Sequence, residues 1–416
     1  MEGINPRADY SWDYKGEKTK SYTHGLHTYP AMFIPQVARR LIENYSHKGD
    51  MVCDIFCGSG TALVESRLIG RNSIGIDLNP LATFLARVKT SELEESVLLK
   101  NYSKLLDHLA EIKIIKSDIP DFFNLDFWFK KDVIADLARL KKAIDKVKDK
   151  KVRDFFLVSF SETVRLSSNS KRGEFKLVRY ATKNLEMHTP KAIDIFKKKT
   201  ESNIKGMSSF YNDVDKNTQT KIIYGDSSKE HGIKSSSVDC IITSPPYGDS
   251  RTTVAYGQFS RLSSQWLGIY ENPANANSLD NDLLGGKPAK DFGEDLESKT
   301  LHKIISIIAA KDEKRARDVV SFYNDLNECL KNAYRILKPQ KYFCLVVGNR
   351  LVKQVRIPTD IIIAELGEAL GFTCENIFIR NIPGKRMPIK TSPTNVKGAL
   401  EETMIKESIV VLKKTR

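Results

Sequence analysis

Strand, glycine turn, helix, strand, acid is the order in which residues 51 to 77 run, and few folds can use it. Met51-Val52-Cys53-Asp54-Ile55-Phe56-Cys57 is a short apolar strand that breaks at Gly58-Ser59-Gly60-Thr61. Ala62 to Ile69 is helical in pattern, and Asn72-Ser73-Ile74-Gly75-Ile76-Asp77 is a second strand closed by a carboxylate. This is the layout of a nucleotide-binding βαβ unit, in which glycines let the backbone approach a ligand and the acid takes ribose hydroxyls. Asp77 stands about 20 residues after the glycine turn, as that geometry requires. The full Gly-x-Gly-x-x-Gly is absent, which argues against a dinucleotide and for a smaller adenosyl ligand. A tight turn capping a helix carries the same Gly-x-Gly, so a second motif is needed.

That motif follows the apolar run Val238-Asp239-Cys240-Ile241-Ile242, which leads straight into Thr243-Ser244-Pro245-Pro246-Tyr247. Two prolines cannot continue into a helix, because each lacks an N–H and pushes the preceding residue toward extended geometry. The Pro245 carbonyl and the Ser244 hydroxyl are then free to accept hydrogen bonds from an –NH2 group, and Tyr247 offers a flat face for stacking. An exocyclic amine on a nucleobase is a poor nucleophile, since its lone pair is delocalised into the ring. Two acceptors on its protons draw it toward tetrahedral geometry and restore the lone pair. Taken alone, the five residues also suit a Pro-Pro turn with a packing tyrosine.

Both motifs together resemble the DNA amino-methyltransferases, which methylate N4 of cytosine or N6 of adenine with S-adenosylmethionine. The likeness rests on Asp54-Ile55-Phe56-Cys57-Gly58-Ser59-Gly60-Thr61 and Thr243-Ser244-Pro245-Pro246-Tyr247. It covers a discontinuous core, and the family's usual Asp-Pro-Phe is here Asp54-Ile55-Phe56. Serine before the two prolines is typical of the N4-cytosine enzymes, so the resemblance implies a site-specific methyltransferase acting on a flipped cytosine in double-stranded DNA, with an N6-adenine methyltransferase and a non-catalytic DNA-binding subunit as the alternatives. It further implies a catalytic set Ser244, Pro245, Pro246 and Tyr247. Asp54, Phe56, Gly58 and Gly60 would hold the methionine part of the cofactor, and Thr61 and Ser244 would also border it. Asp77 would bind its ribose and Asp226 its adenine amine, while His27, Tyr29 and Pro30 belong to a segment that contacts the carboxylate end. A restriction-modification role with a cognate endonuclease is implied by the family alone. Methylation at cytosine C5 would call for a nucleophilic cysteine after a proline, and the chain has no Pro-Cys pair.

Alternating strands and helices predict an α/β fold, a Rossmann-like class I methyltransferase sheet with ligands at the carboxyl ends of its strands. The expected division is 1–90 for an N-terminal arm and the cofactor motifs, 91–220 for a largely helical insertion, and 221–416 for the remaining core. Helices are expected over Ala31 to Tyr45, Leu98 to Ile115, Val133 to Val147, Val152 to Val164, Val319 to Leu337 and Thr359 to Leu370. Residues 272–300, dense in Asn, Asp, Gly and Pro, read as a mobile surface loop.

Lys and Arg number 66 against 52 acids, a net charge of +14 that favours a polyanionic partner. The most pointed basic stretch runs from Glu162 to Lys176, where Arg165, Asn169, Arg172 and Lys176 crowd a turn and suit base edges and phosphates. Arg251 and Tyr256 are placed to flank a bound base, and Lys385 and Arg386 lie in a basic turn. Six scattered cysteines without a Cys-x-x-Cys pair read as reduced core residues of a cytoplasmic protein. His24 and His27 lack metal-binding companions and read as polar surface, so no metal is expected. No apolar run approaches a membrane span and the N-terminus lacks a signal-peptide core, so neither membrane nor export is expected.

Overall fold

Val238–Thr243 is buried along its whole length, which only a strand covered on both faces achieves. It is the centre of an eight-stranded sheet. The computed structural model describes residues 6–173, 176–250, 252–382, 390–391, 401–402 and 405–416. In chain order the strands are β1 (Arg7–Ala8), β2 (Met51–Asp54), β3 (Asn72–Asp77), β4 (Thr220–Tyr224), β5 (Val238–Thr243), β6 (Leu337–Val347), β7 (Phe372–Asn381) and β8 (Lys406–Lys414). Their spatial order is β1-β7-β8-β6-β5-β2-β3-β4. From β2 the chain steps outward to β3 and β4 and then returns to the other flank of β2 with β5. The order therefore reverses between β2 and β5, and a crevice opens there at the carboxyl ends.

A purely parallel sheet is not what forms. β8 inserts antiparallel between β6 and β7, while the other pairings are parallel. Ile409, Val410, Val411 and Leu412 are all buried, so this strand needs a neighbour on each side, and its own pattern says nothing about direction.

Helices α1 (Pro35–Tyr45), α2 (Thr61–Leu68) and α3 (Pro80–Lys89) surround the βαβ unit. α1 starts four residues later than its apolar pattern suggests, because Pro35 rather than Pro30 occupies the first turn and Ala31 adopts φ 49°. That leaves residues 30–34 non-helical. The insertion contains α4 (Glu95–Glu111), α5 (Lys131–Asp145), α6 (Lys150–Ser167) and α7 (Ala192–Asp213). Sequence reasoning missed α7, although Phe196, Ile204, Met207 and Phe210 carry the helical period and are buried. The insertion's aromatic core, with Phe155, Phe156 and Phe160, is continuous with Leu81 and Leu85 of α3 and with Phe259 and Trp266 of α8 (Tyr256–Leu267). Three further helices, α9 (Lys299–Ala309), α10 (Glu313–Ile336) and α11 (Thr359–Ala369), cover the other side. No helix among the described residues is long and apolar enough to cross a membrane.

Three readings change with burial in view. Trp12, in the N-terminal arm, is 1% exposed, packs with Val37, Leu41 and Phe378, and lies under the Arg40 guanidinium at 3.8 Å. His24 and His27 are interior rather than surface residues: His24 Nε2 meets Glu65 at 2.6 Å and His27 Nε2 meets the Ser161 hydroxyl at 2.9 Å. Residues 272–300 are tied down, since Asp280 accepts from the Gly257 and Gln258 N–H groups at the start of α8 (2.7 and 3.1 Å) and Asp325 accepts from Gly285 N–H (2.8 Å). Of their acids, Asp280 serves as the cap of α8. All six cysteines are buried and free.

One glycine is held by packing alone. A Cβ on Gly75 of β3 would meet Leu63 Cδ1 at 2.5 Å and Cys57 Sγ at 3.0 Å, so α2 and the turn after β2 occupy its side-chain space. Gly75→Val is expected to cost about 1–3 kcal/mol through overpacking, read as a lower denaturation midpoint at unchanged slope.

Candidate cofactor and catalytic cleft

The crevice between β2 and β5 opens into a cleft. The non-helical segment Tyr29 to Phe33, the turn after β2, Asp77 to Asn79, Gly225 to Ser227, Ser244, Pro246 and Tyr256 all line it. Both sequence motifs thus face one space. Thr243 joins them directly: its Oγ1 donates to Asp54 Oδ1 (2.6 Å) and accepts from Phe56 N–H (3.2 Å).

Geometry of the glycine turn follows from Asp77. Its Oδ2 accepts from Gly58 N–H and its Oδ1 from Asn79 N–H, both at 2.8 Å. Gly58 has φ 49°, and its missing Cβ leaves the Tyr29 ring 3.5 Å away. Gly60, at φ 88°, serves packing instead: a Cβ there would meet Ala86 Cβ of α3 at 3.0 Å, and Gly60 is not among the lining residues, whereas Thr61 is. Asp226 lines the cleft with Oδ1 fixed by Ser228 N–H (3.0 Å) and the Ser228 hydroxyl (2.8 Å).

At the Pro-Pro corner after β5, Ser244 Oγ donates its proton to the Val346 carbonyl (3.1 Å). A hydroxyl that donates keeps its two lone pairs, so Ser244 faces the cleft as an acceptor. Pro246 lines the cleft, while Pro245 and Tyr247 are not among the lining residues. Tyr247 is anchored by its hydroxyl to Glu407 Oε1 of β8 (2.9 Å), and Glu407 Oε2 pairs with Arg380 Nη1 (2.8 Å). Beyond the corner, buried Asp249 accepts from Arg350 Nη1 (2.9 Å) and from the Thr252 hydroxyl (2.7 Å).

Four aspartates, 54, 77, 226 and 282, line the cleft, and no lysine, arginine or histidine among the described residues does. Burial with no cation close by pushes the Asp54 carboxyl up to about 7, despite hydrogen bonds from Thr243 and Phe56 that pull it down. It pushes Asp77 up to about 6, against the two backbone N–H groups. The cleft is a negative site.

Several predicted residues lie elsewhere. His27 is enclosed beside Ser161 and Glu162, away from the lining, and burial lowers its pKa to about 4. Tyr29 and Pro30 do line the cleft. Tyr29 stacks on Tyr256 (centroids 5.9 Å, 30°), so Tyr256, expected beside a target base, shares a wall with the glycine turn. Arg165 lies 4.1 Å over the Phe259 ring beside Glu162. Asn169 is 2% exposed, its amide donating to the Phe127 carbonyl (3.0 Å), so it is spent inside the fold. Arg172 and Lys176 are exposed, and Arg251, Lys385 and Arg386 lie outside the described residues.

Sequence reasoning passed over Asn79. Its Oδ1 caps α3 through Leu81 N–H (3.1 Å), and its Nδ2 donates to Tyr29 OH (3.0 Å) and Ser260 Oγ (2.7 Å). The signal was present in Asn79-Pro80, a helix-start pair placed directly after the ribose-type acid.

Comparison with known proteins gives the family. A family profile described as DNA methylase matches residues 5–85. A type II methyltransferase from Kocuria varians, M.MvaI, is 42% identical over 95% of this chain and 92% of its own length. Another from Methanocaldococcus jannaschii, M.MjaII, is 36% identical over 27% of this chain and 21% of its own. A solved TehB-like S-adenosylmethionine-dependent methyltransferase from Corynebacterium glutamicum is 10% identical with a TM-score of 0.30, covering 91% of this chain and 87% of that one. With its near-complete match to M.MvaI and its two motifs on one cleft, the chain belongs to the DNA amino-methyltransferase family and is an enzyme that methylates DNA with S-adenosylmethionine as cofactor.

Proposed function

We propose that the enzyme transfers the methyl group to the exocyclic N4 of a cytosine extruded from duplex DNA. One observation carries the reading: Ser244 lines the acidic cleft with its hydroxyl hydrogen-bonded to the Val346 carbonyl, which leaves oxygen lone pairs for an incoming donor. An acceptor beside the methyl donor suits an –NH2 nucleophile and gives a ring carbon nothing. The choice of cytosine over adenine rests on the resemblance carried by the serine.

The cleft's donors and acceptors fit the cofactor. Its aspartates and its lack of cationic lining favour a ligand bearing positive charge, and the open Gly58 turn permits close approach. Bound, S-adenosylmethionine supplies an activated methyl on a cationic sulfur. Asp77 would receive the ribose hydroxyls while fixing the turn, and Asp226 would accept from the adenine amine. Ser244 Oγ accepts an amine hydrogen of the target base, raising its lone pair toward the methyl, and the Pro245 carbonyl, which lies outside the cleft lining and is carried by the resemblance alone, would accept the other. Tyr247 is the proposed stacking face, with Glu407 setting its position. The extruded base costs a few kcal/mol of unstacking, and the acceleration comes from placing amine and methyl in line in a site closed to water. A partner endonuclease of matching specificity belongs to the same proposal.

Acidity supplies a test of the cleft. Asp54 and Asp77 have carboxyls raised to about 7 and about 6 by burial. In the free protein they support the fold most below the ordinary carboxylate range and withdraw that support as pH rises through their raised values. Binding of a cation needs them ionised, so cofactor affinity is expected to rise between about pH 5 and about pH 8, with release of protons on binding. Calorimetry in buffers of different ionisation enthalpy measures both, and a flat affinity would remove the electrostatic role.

The base is identified by incubating the enzyme with labelled S-adenosylmethionine and mixed unmethylated duplex DNA, then digesting to nucleosides for mass spectrometry. Labelled N4-methylcytosine is expected. Labelled N6-methyladenine would keep the mechanism and overturn the base.

A further inference from the structure

Two large aromatic side chains stand in water on the insertion. Phe123 is 81% exposed and Phe127 42%. Their placement is fixed. Asn124 takes a left-handed conformation (φ 63°) and starts the helical turn Leu125–Trp128. That turn is clamped by Asn169, whose N–H donates to the Trp128 carbonyl (2.7 Å) and whose Nδ2 donates to the Phe127 carbonyl (3.0 Å). Arg179 lies 4.2 Å over the Phe127 ring and donates Nε–H to the same Phe127 carbonyl (3.0 Å).

Asp121 and Asp126 are exposed beside Phe123, while the segment packed on Phe127 is cationic and reaches toward the cleft. From Thr163 to Leu185 the chain carries Arg165, Lys171, Arg172, Lys176, Arg179 and Lys183 against the single acid Glu174. Lys171, Arg172, Lys176 and Lys183 are exposed. Leu177 N–H donates to Gln258 Oε1 (3.2 Å), and Gln258 belongs to α8, whose first residue Tyr256 lines the cleft. A basic band therefore links the exposed rings to the cofactor cleft.

We infer that this surface is the enzyme's seat for duplex DNA, with the cations on phosphates and Phe123 inserted into the base stack where the target base has left it. The occupant follows from chemistry. A polyanion satisfies the band, and a flat apolar ring held out on a clamped turn is what a gap between stacked bases accepts. The inference rests on the reading that the target base leaves the duplex, and it adds the residue that fills the vacated space.

The test measures binding and needs no knowledge of the recognition sequence. A short fluorescent duplex is compared with the same duplex containing one abasic site, where the gap already exists. The wild-type enzyme is expected to prefer the abasic duplex by about tenfold, the scale of one aromatic stacking contact. Phe123→Ala should abolish that preference while keeping affinity for the intact duplex, and Phe123→Trp should retain it. Lys171→Ala should weaken both duplexes equally and lower the salt dependence by about one ion. Retention of the abasic preference by Phe123→Ala, or its absence in the wild type, overturns the wedge and leaves DNA methylation intact. Failure of the wild type to bind either duplex overturns the DNA surface as well as the extrusion reading.

Discussion

Asp77→Ala is expected to weaken S-adenosylmethionine binding by about a hundredfold. The carboxylate holds two backbone donors, Gly58 N–H and Asn79 N–H, each at 2.8 Å. Hydrogen bonds to a charged group contribute about 1.5–3 kcal/mol each, and 1.4 kcal/mol is tenfold in affinity. The substitution removes the proposed ribose acceptor and also frees the glycine turn to drift. Titration calorimetry measures the loss. Asp77→Asn keeps one acceptor and is expected to fall between the two; an unchanged dissociation constant in Asp77→Ala would remove Asp77 from the cofactor site.

Ser244→Ala is expected to act on the other half of the reaction. Removing a group that acts on charge developing in the transition state costs about 10²–10³ in kcat. Ser244 Oγ bonds the sheet at the Val346 carbonyl, and β5 and β6 pair along their backbones without it. Cofactor affinity should therefore stay within about twofold, since the hydroxyl serves the amine rather than the ligand pocket as a whole. Single-turnover transfer and cofactor titration on the same preparation separate the two effects. Equal losses of cofactor affinity in Ser244→Ala and Asp77→Ala would contradict this division of labour.

The parts of the site legible in the sequence are those whose chemistry is local. Glycines at 58 and 60, an acid at 77 and a Pro-Pro step at 245 constrain their own backbone, so their meaning is written in consecutive residues. Strand ends placed them at one crevice without further information. What was illegible depends on partners far along the chain. Glu407, which positions Tyr247, is 160 residues away. His27 and Asn169 look like polar surface until α6 and the turn at Leu125–Trp128 close over them. Direction of β8 depends on which neighbours are free, and its uniformly apolar pattern is the same in either sense. The acids of residues 272–300 read as a loop because capping and solvated loops draw on the same residue types.

Antiparallel insertion of β8 has a consequence for how the enzyme is made. β6 is complete when Val347 has been synthesised, yet its partner on that side begins only at Lys406. At a ribosomal rate of 5–20 residues per second, this leaves the β6 edge open for roughly three to twelve seconds. Throughout that interval Tyr247 lacks its Glu407 anchor, and the ladder between β6 and β7 is missing. A nascent chain still short of β8 therefore exposes the unpaired edge of β6. The strand that closes the sheet is thus also the one that brings Glu407 to Tyr247.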